Sequence, residues 1–174
     1  MTNPKLSDHF SLFELTVTSN AALQAANREI TDDQIAKLKA LAAHGEEIRT
    51  ICGGKPVNIH SGYRSPALNG ATTGSSSTSQ HPRCEALDLS VVGQDVSVTF
   101  GLLLVAAKAG KFRFGQLILE IADRGYAKVE WIHCSVIGTL DPAKVGQVLK
   151  MTAGQDGKPH YDLVTRLTFA TRTT

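Results

Sequence analysis

No stretch of this sequence is long and apolar enough to cross a bilayer; the run "LLLVAA" falls far short of the ~20 residues a spanning helix needs. Stable membrane insertion is therefore not expected. The start, "MTNPKLSDHFSLFELTV", lacks a basic segment followed by an apolar one, so no secretory signal is expected and synthesis should leave the protein in the cytoplasm. Cysteine is scarce: Cys52, Cys84 and Cys134 are the three, and an odd number excludes a fully paired disulfide framework. Reduced thiols are the simple expectation. The net charge is only +2, and Lys and Arg are scattered without a basic stripe or interleaved aromatics, which argues against nucleic-acid binding.

What remains is ordinary globular material, 42% hydrophobic and 20% charged, and 174 residues fit a single domain spanning 1–174. The segment "ITDDQIAKLKALAAHGEEIRTICGG" reads as a helix. Thr31 and Gln34 have capping-box spacing, Ile35, Leu38, Leu41, Ala42 and Ile48 fall near one face, and Gly53-Gly54 ends it. "DVSVTFGLLLVAAKAG" reads as a second helix, apolar enough to be buried, and "NAALQAANRE" as a short one. "KPVNIHSGYRSP" is a short strand running into a turn. "FGQLILEI" and "AKVEWIHCSVIG" read as a hairpin around "ADRGY", and "VGQVLKMT" with "HYDLVTRLTFA" as another around "AGQDGKP". The expected class is α+β, with helices packed on a small antiparallel sheet whose open face carries the functional site.

Alternation along the strands selects the polar residues that share that face. In "EALDLSVV", Leu87, Leu89 and Val91 take one face, and Ala86, Asp88 and Ser90 the other. In "WIHCSV", Ile132, Cys134 and Val136 turn inward, leaving Trp131, His133 and Ser135 on the open face. His81 closes the polar loop "GSSSTSQH" ahead of Asp88, and a turn between them brings both toward a common point. Two histidines and one carboxylate leave a fourth tetrahedral position free, as catalytic zinc sites do. The His-x6-Asp spacing taken alone is common. His9, His44, His60 and His160 have no companion pattern and are expected at the surface or in local hydrogen bonds.

"SGYRSPALN", "SQHPRCEALDLS" and "WIHCSV" resemble the three signature blocks of the M15 zinc peptidases, the D-alanyl-D-alanine carboxypeptidase and phage endolysin group. "LSDHFSLFEL" and "FGQLILE" fit the same subfamily, so the resemblance spans residues 6 to 137. The family block Ser-x-His-x-x-Gly-x-Ala-x-Asp maps onto Ser79, His81, Ala86 and Asp88, and the family's final histidine onto His133. The resemblance implies one zinc ion per chain held by His81, Asp88 and His133. It also implies hydrolysis of peptide bonds in bacterial peptidoglycan stem peptides or cross-links. A phage or prophage lysis enzyme fits, acting as a monomer on the wall after release or injection. A non-catalytic, zinc-stabilised wall-binding module is the alternative.

One position departs from the family: its glycine is here Cys84, which would be strained if the backbone needs positive φ. His81-x-x-Cys84 also has the spacing of structural zinc ligands, making Cys84 an alternative to Asp88. The resemblance places Arg64 as a substrate-binding arginine able to grip a carboxylate with two hydrogen bonds, and an arginine bracing its own turn is the other reading. Ser79 is expected to touch substrate or orient the ligand loop.

A zinc peptidase needs a carboxylate to carry a proton. Glu130, three positions before His133, has the spacing several M15 enzymes use. Strict alternation opposes it, and a bulge at the start of the strand would reconcile the two. Glu120 is the alternative. With Arg124-Gly125 as a two-residue turn it stands opposite Val129, on the face of His133, with Gln116 directly opposite His133.

Overall fold

In a computed structural model of the chain, the described residues are 3–123, 128–138, 141–153 and 158–169. Helix α1 (Leu12–Leu15) opens the fold, followed by two 3-10 turns, Ala21–Leu23 and Ala26–Arg28, where a short helix was expected. Helix α2 (Asp32–Ile51) begins as the sequence predicts. Thr31 Oγ accepts from the Gln34 amide, and the Gln34 side chain accepts from the Thr31 amide. Asp32 and Asp33 at its start and Arg49 at its end suit the helix dipole. The remaining elements are β1 (Val57–Ser61), α3 (Pro66–Ala71), β2 (Ala86–Val91), α4 (Val96–Lys108), β3 (Gln116–Asp123), β4 (Lys128–Ser135), β5 (Gln147–Ala153) and β6 (Pro159–Arg166).

The six strands form one sheet in the order β1-β2-β4-β3-β5-β6. Both expected hairpins, β3–β4 and β5–β6, are present and antiparallel, although residues 124–127 and 154–157 of their turns lie outside the described residues. The sheet is mixed, not antiparallel throughout, because β5 runs parallel to β3. Each hairpin is a local signal, whereas the docking of one on the other depends on residues far apart in sequence.

Helices cover one face. Leu38, Leu41 and Ile48 of α2 and Leu103 and Ala107 of α4 join Leu87, Leu89, Val91, Leu117, Ile132, Cys134 and Val148 of the strands in one core. Helix α4 is buried along one stripe only, Thr99, Leu103 and Ala107, while Val98, Leu102 and Val105 are exposed. The expectation of a buried helix fails there because among the described elements none covers its outer face. His44 also departs from expectation. It is buried, stacks on Phe112 with ring centroids 5.0 Å apart, and has Nε2 3.4 Å from Cys134 Sγ. Its position on the buried stripe of α2, between Leu41 and Ile48, explains why.

Candidate metal centre

The open face of the sheet forms the floor of a cleft, and His81, Asp88 and His133 meet in it. Asp88 and His133 are directly paired across β2 and β4. His81 starts a one-turn 3-10 helix, His81–Arg83, which turns the polar loop into β2. One ligand atom from each of the three lies within 4.8 Å of the others, and all three side chains are buried. Among the described residues, this is the cluster able to hold a metal ion.

The hydrogen bonds around the cluster decide which atoms point inward. His81 Nδ1 is 2.7 Å from the carbonyl oxygen of Gly62, so it carries the proton and leaves Nε2 as the ligand atom, 3.3 Å from Asp88 Oδ1. His133 is held the other way round. Its Nδ1 lies 3.0 Å from Asp88 Oδ1, and its Nε2 lies 3.2 Å from Gln80 Oε1, a donor's position. Gln80 in turn donates through Nε2 to Ser135 Oγ at 2.8 Å, which fixes its oxygen toward His133. Arg64 Nη2 donates to Asp88 Oδ2 at 2.5 Å, leaving Oδ1 turned toward the histidines. Three ligand atoms, each backed by an outer partner, match the donor set and orientation that a divalent metal needs.

Gly62 is part of this arrangement. A side chain there would put Cβ 2.4 Å from the Leu15 carbonyl oxygen, where the Tyr63 amide also donates. Only a residue without Cβ lets the chain pass α1 this closely and offer its carbonyl to His81. Asn27, fully buried, braces the same turn by donating to the carbonyls of Thr16 and Tyr63 and accepting from the Ser65 amide. Neither Gly62, Asn27 nor the Gln80–Ser135 relay carries a local sequence signal for these roles. They show only once the loops are folded together.

Charge follows the geometry. Burial raises the Asp88 carboxyl, but the charge of His81 and the hydrogen bonds from both histidines outweigh it and hold Asp88 below the usual carboxylate range. Glu120 behaves oppositely. Burial, with the Asp88 charge added, pushes it up to about 7 against the opposing pull of His133 and Arg64.

The two candidate carboxylates are now distinguishable. Ile118 stands opposite His133 and Glu120 opposite Trp131, so Glu120 shares the site face and is the diagonal neighbour of His133. The expected pairings of His133 with Gln116 and Glu120 with Val129 are displaced by two residues, which brings Glu120 one pair closer to the cluster. Diagonal neighbours are roughly 7–8 Å apart at the backbone, within reach of long side chains. The bulge that would have turned Glu130 to the open face is absent: the β3–β4 register runs unbroken from Asp123 and Lys128 to Leu117 and Cys134. Alternation therefore puts Glu130 on the face of Ile132 and Cys134. It reaches the rim of the cleft and pairs with Lys128 at 3.3 Å.

Cys84 is not among the converging donors. It is buried in the core, with burial pushing its thiol up to about 11, and its backbone is left-handed at φ 59° and ψ 36°. The strain expected of a cysteine at the family's glycine is thus present. Arg64 also donates through Nε to Ser61 Oγ at 2.8 Å, so it braces both its own turn and Asp88 while lining the cleft. Ser79 lines the cleft and accepts the His81 amide at 3.4 Å. Tyr63 is buried and its hydroxyl accepts from Gln34, whereas Trp131 lies in the cleft against Ile118, Leu149 and Met151.

An α+β fold whose sheet carries a His-Asp-His cluster in an open cleft has the donor set of a candidate metal centre. The chain matches the Peptidase M15 model over residues 8–135, and it belongs to that metallopeptidase family. A comparison with curated proteins found no match.

Proposed function

We propose that the protein is a zinc peptidase that hydrolyses peptide bonds in the stem peptides or cross-links of bacterial peptidoglycan, in the role of a phage or prophage lysis enzyme. The observation that carries the catalytic part is the juxtaposition, over one sheet face, of three outer-bonded donor atoms from His81, Asp88 and His133 with a carboxylate whose proton affinity is raised toward neutrality. The wall substrate rests on the likeness of the signature blocks to the carboxypeptidase and endolysin group. A zinc ion would be held by His81 through Nε2, Asp88 through Oδ1 and His133 through Nδ1, and would supply Lewis acidity for peptide hydrolysis.

Glu120, not Glu130, is the proton carrier in this reading. It takes the proton from the attacking water and returns it to the leaving amine, so no net proton is consumed in the exchange. Arg64 holds Asp88 in its ligand orientation, and its remaining N–H groups, at the cleft wall, are available to a substrate carboxylate. Ser79 keeps the His81 loop in place at the mouth of the cleft.

Metal analysis of the purified protein should give one zinc per chain, reduced to a trace in folded His81→Ala and His133→Ala variants. Mass spectrometry of purified muropeptides after incubation should show a product pair of one defined cleavage. Zinc retained by both variants would remove the metal site, and full zinc with no muropeptide cleaved would leave a binding module in place of the enzyme.

A further inference from the structure

The cleft floor changes character across the metal ligands. On the β1–β2 side it is polar: His60, at the break in the register of β1, is 2.9 Å from Ser90 Oγ, with Ser61 and Arg64 also lining the cleft. On the other side, one transverse row runs in register from Asp88 through His133 and Ile118 to Leu149 of β5 and Leu163 of β6. The neighbouring row brings Tyr161 level with Glu120 across Met151. Ile118 and Leu149 are almost buried, while Leu163 is 60% and Tyr161 50% exposed. All four line the same cleft as the metal ligands.

An edge strand that presents a leucine and a tyrosine to solvent is a liability unless something covers them. Strands β5 and β6, which carry Leu149, Tyr161 and Leu163, lie beyond residues 8–135, the part that matches the family model. The continuity of this apolar shelf with the ligand row names the occupant. Leu149 is two strand spacings from His133, roughly 10 Å, which an extended peptide covers in about three residues.

We propose that Ile118, Leu149, Tyr161 and Leu163 form an apolar subsite that selects peptides with an aliphatic side chain within three residues of the scissile bond. The selection rests on the peptidase reading, but binding can be measured apart from turnover. Trp131, the single tryptophan of the chain, lies in the cleft and reports occupancy by fluorescence. Synthetic peptide pairs differing only in Leu or Ser at each of the three positions on either side of the target bond are titrated into zinc-loaded Glu120→Gln protein. At one position the Leu peptide should bind about tenfold more tightly, the usual size of apolar discrimination in a pocket. Leu163→Ser and Tyr161→Ala should each bring that ratio close to one, with the thermal midpoint and zinc content confirming that both variants are folded.

No preference at any position, or a preference that both variants retain, overturns the subsite. Wild-type protein that cleaves nothing yet shows the preference overturns the hydrolytic reading alone and leaves the subsite standing.

Discussion

Cys84 shows how one residue can be retained against its own backbone preference. A non-glycine residue in the left-handed region costs about 1–2 kcal/mol, and Cys84 sits there because the 3-10 turn from His81 to Arg83 must reverse into β2 within two residues. Its thiol is buried in the core and plays no part in the cluster. Cys84→Gly should therefore keep zinc and activity while losing a small amount of packing and gaining the relief of that strain. The net change expected in chemical denaturation is within about 1 kcal/mol of zero. Loss of zinc in a folded Cys84→Gly protein would show that the thiol is a ligand after all. Glu120 carries a cost of the opposite kind. Its folded pKa of about 7 lies above the ordinary 4.5, so its contribution to metal-free stability is fully present below 4.5 and is lost as pH rises through 7. Glu120→Gln apoprotein should be more stable than wild type at pH 8, by up to about 3 kcal/mol, and equally stable near pH 4. An equal difference at both pH values would mean that the carboxylate is not desolvated as described.

At the scale of the elements, much was readable because local rules were obeyed. The Thr31–Gln34 cap of α2 and the alternation that put Asp88 and His133 on one face both appear in the structure. So do the two hairpins and the inward Cys134. What was not readable depended on register and on distant loops. The β3–β4 register required the turn length, and assuming a two-residue turn put every expected pairing two residues out of place. The parallel contact of β5 with β3 has no sequence period, and the apolar shelf on β6 follows from that contact. Gly62 belongs to the same class, since its need for glycine comes from α1, forty-odd residues earlier in the chain. Gly62→Ala should push the turn off the Leu15 carbonyl and move the partner of His81 Nδ1. Zinc affinity measured by chelator competition should fall roughly 10- to 100-fold, the usual cost of losing an outer partner of a ligating histidine. Unchanged affinity in a folded variant would show that His81 does not depend on that carbonyl.

For the molecule as a whole, the sheet separates two tasks. One face packs against α2 and α4 and stabilises the fold, and the other carries Asp88, His133 and Glu120 on the floor of the cleft. Which carboxylate shares the face of His133 decides which one carries the proton, and hydrolysis by Glu120→Gln and Glu130→Gln proteins of equal zinc content tests this most directly. Glu120→Gln should lose about 10²- to 10⁴-fold in kcat with zinc retained, the usual worth of general acid/base assistance, whereas Glu130→Gln should stay within about threefold of wild type. The acidic limb of wild-type kcat/KM should lie at or below pH 7, since a bound cation can only lower Glu120 further, and Glu120→Gln should abolish that limb in whatever activity remains. Normal hydrolysis by Glu120→Gln together with loss in Glu130→Gln would contradict the account, placing the proton carrier on the other face of β4.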